Sequence, residues 1–68
     1  MKSTLEFYEC EHSGDLDNYV SDMLDCGATI LSSSVDTEDE IGYVRFEVDD
    51  IETFMFKFKD TEAYEFVN

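Results

Sequence analysis

The 68-residue sequence predicts an α+β sandwich in the order βαββαβ, an antiparallel sheet with both helices on one face. Three observations lead there. Short runs alternate apolar and polar residues with the period of a half-buried strand. Between them lie one stretch with a 3.6-residue apolar stripe and a second with helix-capping signals. Proline, internal repeats and low-complexity tracts are absent, so residues 1–68 read as one domain without a linker.

In residues 4–10, Leu5 and Phe7 alternate with Glu6 and Tyr8, a strand with one buried face. Leu16, Tyr19, Val20, Met23 and Leu24 then recur at i, i+3, i+4, i+7 and i+8, the core stripe of a helix, and Gly27 supplies its stop. Ala28 to Val35 are small or β-branched, and within Ile41 to Val48 the residues Val44, Phe46 and Val48 alternate with Tyr43, Arg45 and Glu47. These are two antiparallel strands joined by the acidic stretch Asp36 to Glu40.

Asp49 to Lys59 reads two ways. As a strand it alternates Phe54, Phe56 and Phe58 with Met55, Lys57 and Lys59. As a helix it has Asp49 and Glu52 at capping-box spacing, a stripe of Ile51, Phe54, Met55 and Phe58, and lysines at the negative end of the dipole. The helix is preferred because cap, stripe and dipole agree. Residues 62–67 then form a last strand with Tyr64 and Phe66 inward. The order is that of a ferredoxin-like sandwich, a topological resemblance only, and that superfold hosts many unrelated functions.

The composition carries the functional signal. Eighteen residues are Asp or Glu and four are Lys or Arg, a formal net charge of -14. Two like charges 10 Å apart in water repel by about 0.4 kcal/mol, whereas a domain of this size is stable by about 3–10 kcal/mol in total. The repulsion is a sizeable fraction of that stability, so the surface either serves a basic partner or suits a salt-rich solvent. Disorder is not the explanation, because six Phe and four Tyr supply a core. The N-terminal residues read as the start of a strand rather than a signal peptide, and no apolar run approaches membrane length. With Cys10 and Cys26 too few for a disulfide framework, reduced thiols and a cytoplasmic setting are expected.

Some acids have a local reason to be where they are. Asp15 and Asp17 fall in the first turn expected for helix one, and Asp49, Asp50 and Glu52 at the start of helix two, where carboxylates are favoured by about 0.3–1 kcal/mol each. Asp22 and Asp25 oppose the dipole of a last turn and, with Asp15 and Asn18, line the side opposite the apolar stripe. Asp36, Glu38, Asp39 and Glu40 crowd the hairpin turn, which needs polarity but not mutual repulsion.

Carboxylates held along one side of a folded protein can compete with nucleic acid for a basic groove. The expectation is therefore a non-enzymatic inhibitor of the DNA- or RNA-mimic class, such as phages and mobile elements direct against restriction or CRISPR systems. Its contacts would be Asp15, Asp22, Asp25, Asp36, Glu38, Asp39 and Glu40, with Tyr8 and Tyr43 as anchors. The partner is a basic nucleic-acid-binding protein or nuclease complex, with no direct nucleic-acid or membrane contact. The alternative is an antitoxin-like or subunit-type regulator. It would use the sheet face bearing Glu6, Tyr8, Tyr43, Arg45 and Glu47, or pair with itself through the tyrosines. A third reading makes the charge an adaptation to salt.

Little points to catalysis or a cofactor. His12 is the only histidine, and neither Cys10 nor Ser13 beside it forms a nucleophile motif. Cys10, His12 and Cys26 lack the paired spacing of a zinc site. Asp36, Glu38, Glu40 and Glu47 match the acidic positions of an EF-hand register, but Ile41 replaces its glycine and the flanking helices are missing, so no metal is expected. The three glycines are isolated and make no phosphate loop.

Overall fold

The computed structural model describes residues 1–68. Strand β1 (Lys2–Phe7) leads to helix α1 (Ser13–Asp25), followed by β2 (Thr29–Asp36), β3 (Ile41–Glu47), α2 (Ile51–Phe58) and a C-terminal 3₁₀ helix (Glu62–Phe66). The sheet has three strands in the order β1-β3-β2. Both pairings of central β3 are antiparallel, with Thr4 opposite Arg45 on one side and Ser34 opposite Tyr43 on the other. The α+β class and the helical reading of 51–58 hold.

One register explains both faces of the sheet. Val44, Phe46 and Val48 are buried on the helix side, while Arg45 and Glu47 between them are exposed. The core includes Phe7, Met23, Val44, Phe46 and Phe58, all fully buried. Aromatic rings link the elements: Phe46 to Phe54 at 5.1 Å, Phe54 to Phe58 at 5.2 Å, Phe58 to Phe7 at 6.3 Å, Phe7 to Tyr19 at 4.9 Å and Tyr19 to Phe66 at 5.1 Å. Each such contact adds about 0.5–1.5 kcal/mol beyond area burial, a large increment for so small a core.

The helix ends follow from local chemistry. His12 caps α1, its Nδ1 accepting from Gly14 N at 3.1 Å. Gly27, at φ 96°, ends the helix in the left-handed region. Of the two expected first-turn acids only Asp15 is in that turn; Asp17 lies beyond it. Asp50, not Asp49, caps α2, accepting from Glu52 N at 3.0 Å, Thr53 N at 3.4 Å and the Thr53 hydroxyl at 3.0 Å. The Thr53 hydroxyl and then the two amides hold the Asp50 carboxyl below its ordinary value.

The structure corrects three further expectations. Residues 62–66 form the 3₁₀ helix instead of a fourth strand, so the full βαββαβ order is not reached; the segment meets β1 only through the Phe7–Val67 bridge. The three-residue turn puts Ala63 and Phe66 on one side, with Ala63 buried and Phe66 stacked on Tyr19, and leaves Tyr64 exposed rather than inward. Leu24 is 54% exposed because the stripe continues from Met23 to buried Cys26, one turn on. Tyr8 lies just past the end of β1, exposed, with its hydroxyl 2.5 Å from Asn68 Oδ1. A register shift between Ile30 and Ser32 places a bulge at Leu31.

Candidate functional site

The antiparallel pairing of β1 with β3 sets Phe7 opposite Gly42, which brings the β1–α1 connection beside the β2–β3 turn. Cys10 N donates to Glu40 O at 2.9 Å and links the two loops. The approach is close: a Cβ at Gly42 would lie 2.6 Å from Leu16 Cδ1 and 2.7 Å from Cys10 Sγ. Only glycine leaves room for it.

Two carboxylates build the loops as well as charging them. Asp36 Oδ1 accepts from Glu38 N at 3.0 Å and Asp39 N at 3.2 Å, closing the turn. Asp15 Oδ2 accepts from Glu11 N at 3.1 Å and lies 3.8 Å from His12 Nε2. Around them Glu9, Glu11, Glu38, Asp39 and Glu40 are exposed. The His12–Asp15 contact is the one ion-pair distance within 4 Å, so no Lys or Arg neutralises this end.

Glu9 and Glu40 stand at φ 58° and 57°, the only non-glycine residues with positive φ. A side chain in that region costs about 1–2 kcal/mol, which glycine would avoid. The chain therefore carries a carboxylate, at a local cost, in each of the two adjoining loops.

Of the residues expected from sequence, Asp15, Asp36, Glu38, Asp39 and Glu40 come together here, joined by Glu9 and Glu11. Asp22 and Asp25 do not. Asp22 is half-buried and its Oδ2 accepts from Ala63 N at 3.2 Å, fastening α1 to the 3₁₀ helix, whose own cap residue Thr61 offers no side-chain bond. Asp25 is exposed about 15 Å along the axis from Asp15. Tyr43 is half-buried between Glu6 and Ser34 on the open sheet face. Glu47 stands at the far end of β3, opposite Lys2 and Thr29, so the EF-hand register of the sequence is not assembled in space. Glu9 and Glu11 could not be found from local pattern because their proximity to the turn depends on strand order.

Two shallow grooves lie elsewhere. One of about 220 Å³ includes Cys26, Asp49, Asp50 and Lys57, and one of about 350 Å³ runs between α1 and the 3₁₀ helix past Asn18, Asp22 and Glu62. Burial, then Asp22 and Asp25, pushes the Cys26 thiol up; burial, then Asp15, does the same to Cys10. Both are held as thiols, the less nucleophilic form. No group of three or more His, Cys, Asp or Glu is placed to hold a metal ion, and no helix is long and apolar enough to cross a membrane. What the acidic end offers is fixed negative charge. No family model, no curated protein and no solved structure matches this chain.

Proposed function

We propose that the chain is a non-enzymatic inhibitor that enters the basic nucleic-acid groove of another protein as a DNA or RNA mimic, in the manner of phage or mobile-element proteins directed against CRISPR or restriction systems. The observation that carries this reading is the pair of linked loops presenting Glu9, Glu11, Glu38, Asp39 and Glu40 with no Lys or Arg within 4 Å, two of them in left-handed backbone. Strain kept at a surface carboxylate is a cost with no return in folding.

The sheet-face regulator has less support, since of its two anchors Tyr8 has its hydroxyl tied to Asn68 and Tyr43 is half-buried. The test uses two resins, one bearing the wild-type chain and one the variant E9Q/E11Q/E38Q/D39N/E40Q, exposed to the same nuclease-treated lysate. A basic nucleic-acid enzyme kept by the first, lost from the second and released by competitor DNA is the expected result. A partner held equally by both, or indifferent to DNA, overturns the reading.

A further inference from the structure

From Cys26 to Val35 no side chain is charged, although charged residues make up 32% of the chain. That stretch includes most of β2, an edge strand that pairs only with β3. No hydrogen bond from elsewhere in the chain reaches the backbone of Thr29 to Val35, so its outer row of amides and carbonyls is open. The opposite edge is partly covered, because Asn68 N donates to Glu6 O at 2.8 Å and Tyr8 N to Phe66 O at 2.6 Å. Edge strands are ordinarily guarded by charge, proline or a bulge. Here the bulge at Leu31 guards the N-terminal half alone, and Ser32 to Asp36 run in regular register against Arg45 to Ile41.

We infer that this edge pairs with a second copy of the chain, antiparallel about a two-fold axis at Ser34, making a continuous six-stranded sheet. The self-complementary register selects a second copy, and two further features allow one. The net charge of -14 makes two copies repel, and this strip is where their backbones can meet without like charges in contact. The regular stretch is self-complementary in that register: Ser34 faces itself, Ser33 faces Val35, and Ser32 faces Asp36. A serine hydroxyl then stands ready to donate to the carboxylate oxygen that the turn leaves unused, since Oδ1 takes both turn amides. Finally, Ser32, Ser33 and Ser34 are all exposed in the single chain, so pairing displaces no packed side chain. The pair would set its two acidic turns about 26 Å apart, at about 3.3 Å per residue. It stands independently of the proposed target, because its salt dependence has the opposite sign: added salt screens the repulsion and strengthens the pair, whereas it weakens binding to a basic groove.

Sedimentation equilibrium of the wild-type chain, of Ser34→Glu and of Ser34→Lys, at low and high salt, tests the inference, with circular dichroism confirming each fold. A wild-type dimer favoured by salt is expected. Each variant sets like charges directly opposite and should raise the dimer Kd at least about fivefold, while an equimolar mixture of the two restores the dimer. A wild-type chain monomeric under all conditions, a dimer indifferent to both substitutions, or a mixture that stays monomeric overturns it. So does protection of the β2 amides from exchange only when a target protein is added, which would assign the edge to a foreign strand.

Discussion

Two stretches that adjoin at Asp36 treat charge in opposite ways. Cys26 to Val35 has no charged side chain, whereas Asp36 to Glu40 has an acid at every position except Thr37. The first stretch ends as an open strand edge, and the second closes a turn against the loop bearing Glu9 and Glu11. An acidic coat that served only hydration would be spread over both. Seven of the 18 acids gather in or beside the two loops at this end and none lies in the adjoining strip, a contrast that two separate binding surfaces would require. The open sheet face agrees, since Lys2 and Arg45 share it with Glu6, Glu47 and Asp36 and leave a single excess negative charge there.

Removing the charges of the acidic end should have the largest effect. In E9Q/E11Q/E38Q/D39N/E40Q, affinity for a basic target is expected to fall about 100-fold or more, at roughly 0.5 kcal/mol or more for each charge pair lost. Thermal stability should rise at the same time, because the repulsion is relieved without loss of any side-chain hydrogen bond seen here. Isothermal titration and calorimetry on the same samples read both. A parallel loss of stability and affinity would mean that these carboxylates hold the loops rather than a partner.

The next perturbation breaks the link between the loops. Gly42→Ala sets a methyl within 3 Å of Leu16 and Cys10 and should destabilise the domain by about 1–3 kcal/mol, read as a lower denaturant midpoint. The β2 edge, on the other side of β3, should keep its self-association in whatever fraction stays folded. Coupled loss of target binding and self-association would show that the two stretches, which adjoin at Asp36, act as one surface.

Asp22 tests where the acidic surface stops. Asp22→Ala removes the acceptor for Ala63 N and should cost about 1 kcal/mol, partly offset by the better helix propensity of alanine, with faster amide exchange confined to residues 62–67. Asp22→Asn keeps an acceptor and drops the charge. It should therefore restore protection and leave target affinity unchanged; a fall in affinity with Asn would return Asp22 to the interface.

How much of this was legible in the sequence differs by element. Phe54 and Phe58 are buried on one side of α2 while Phe56 between them is 67% exposed, so cap and stripe outweighed the β preference of the aromatics. The last strand failed because Tyr64 and Phe66 alternate well, whereas the core had room for Ala63 and Phe66, a three-residue spacing visible only once Tyr19 was in place to receive Phe66. Within the site, the turn Asp36 to Glu40 was legible because it is contiguous. Glu9 and Glu11 were not, as they reach it through the β1–β3 pairing, and Asp22 looked free because its partner amide lies 41 residues away.

The smallest effect is also the most discriminating. Glu40→Gly removes a side chain from φ 57° and should stabilise the domain by about 0.5–1 kcal/mol, once the greater freedom of glycine in the unfolded chain is counted against the relieved strain. The turn keeps its geometry, because Cys10 N bonds the Glu40 carbonyl and Asp36 caps the other side, neither needing the Glu40 side chain. Target affinity should nonetheless fall about fivefold, the worth of about 1 kcal/mol, while the β2 self-association stays as it was. Gain of stability with loss of binding is the signature of a residue kept for a partner. A chain that gains stability and binds as before would show that the strained glutamates are incidental, and the acidic end would then rest on charge density alone.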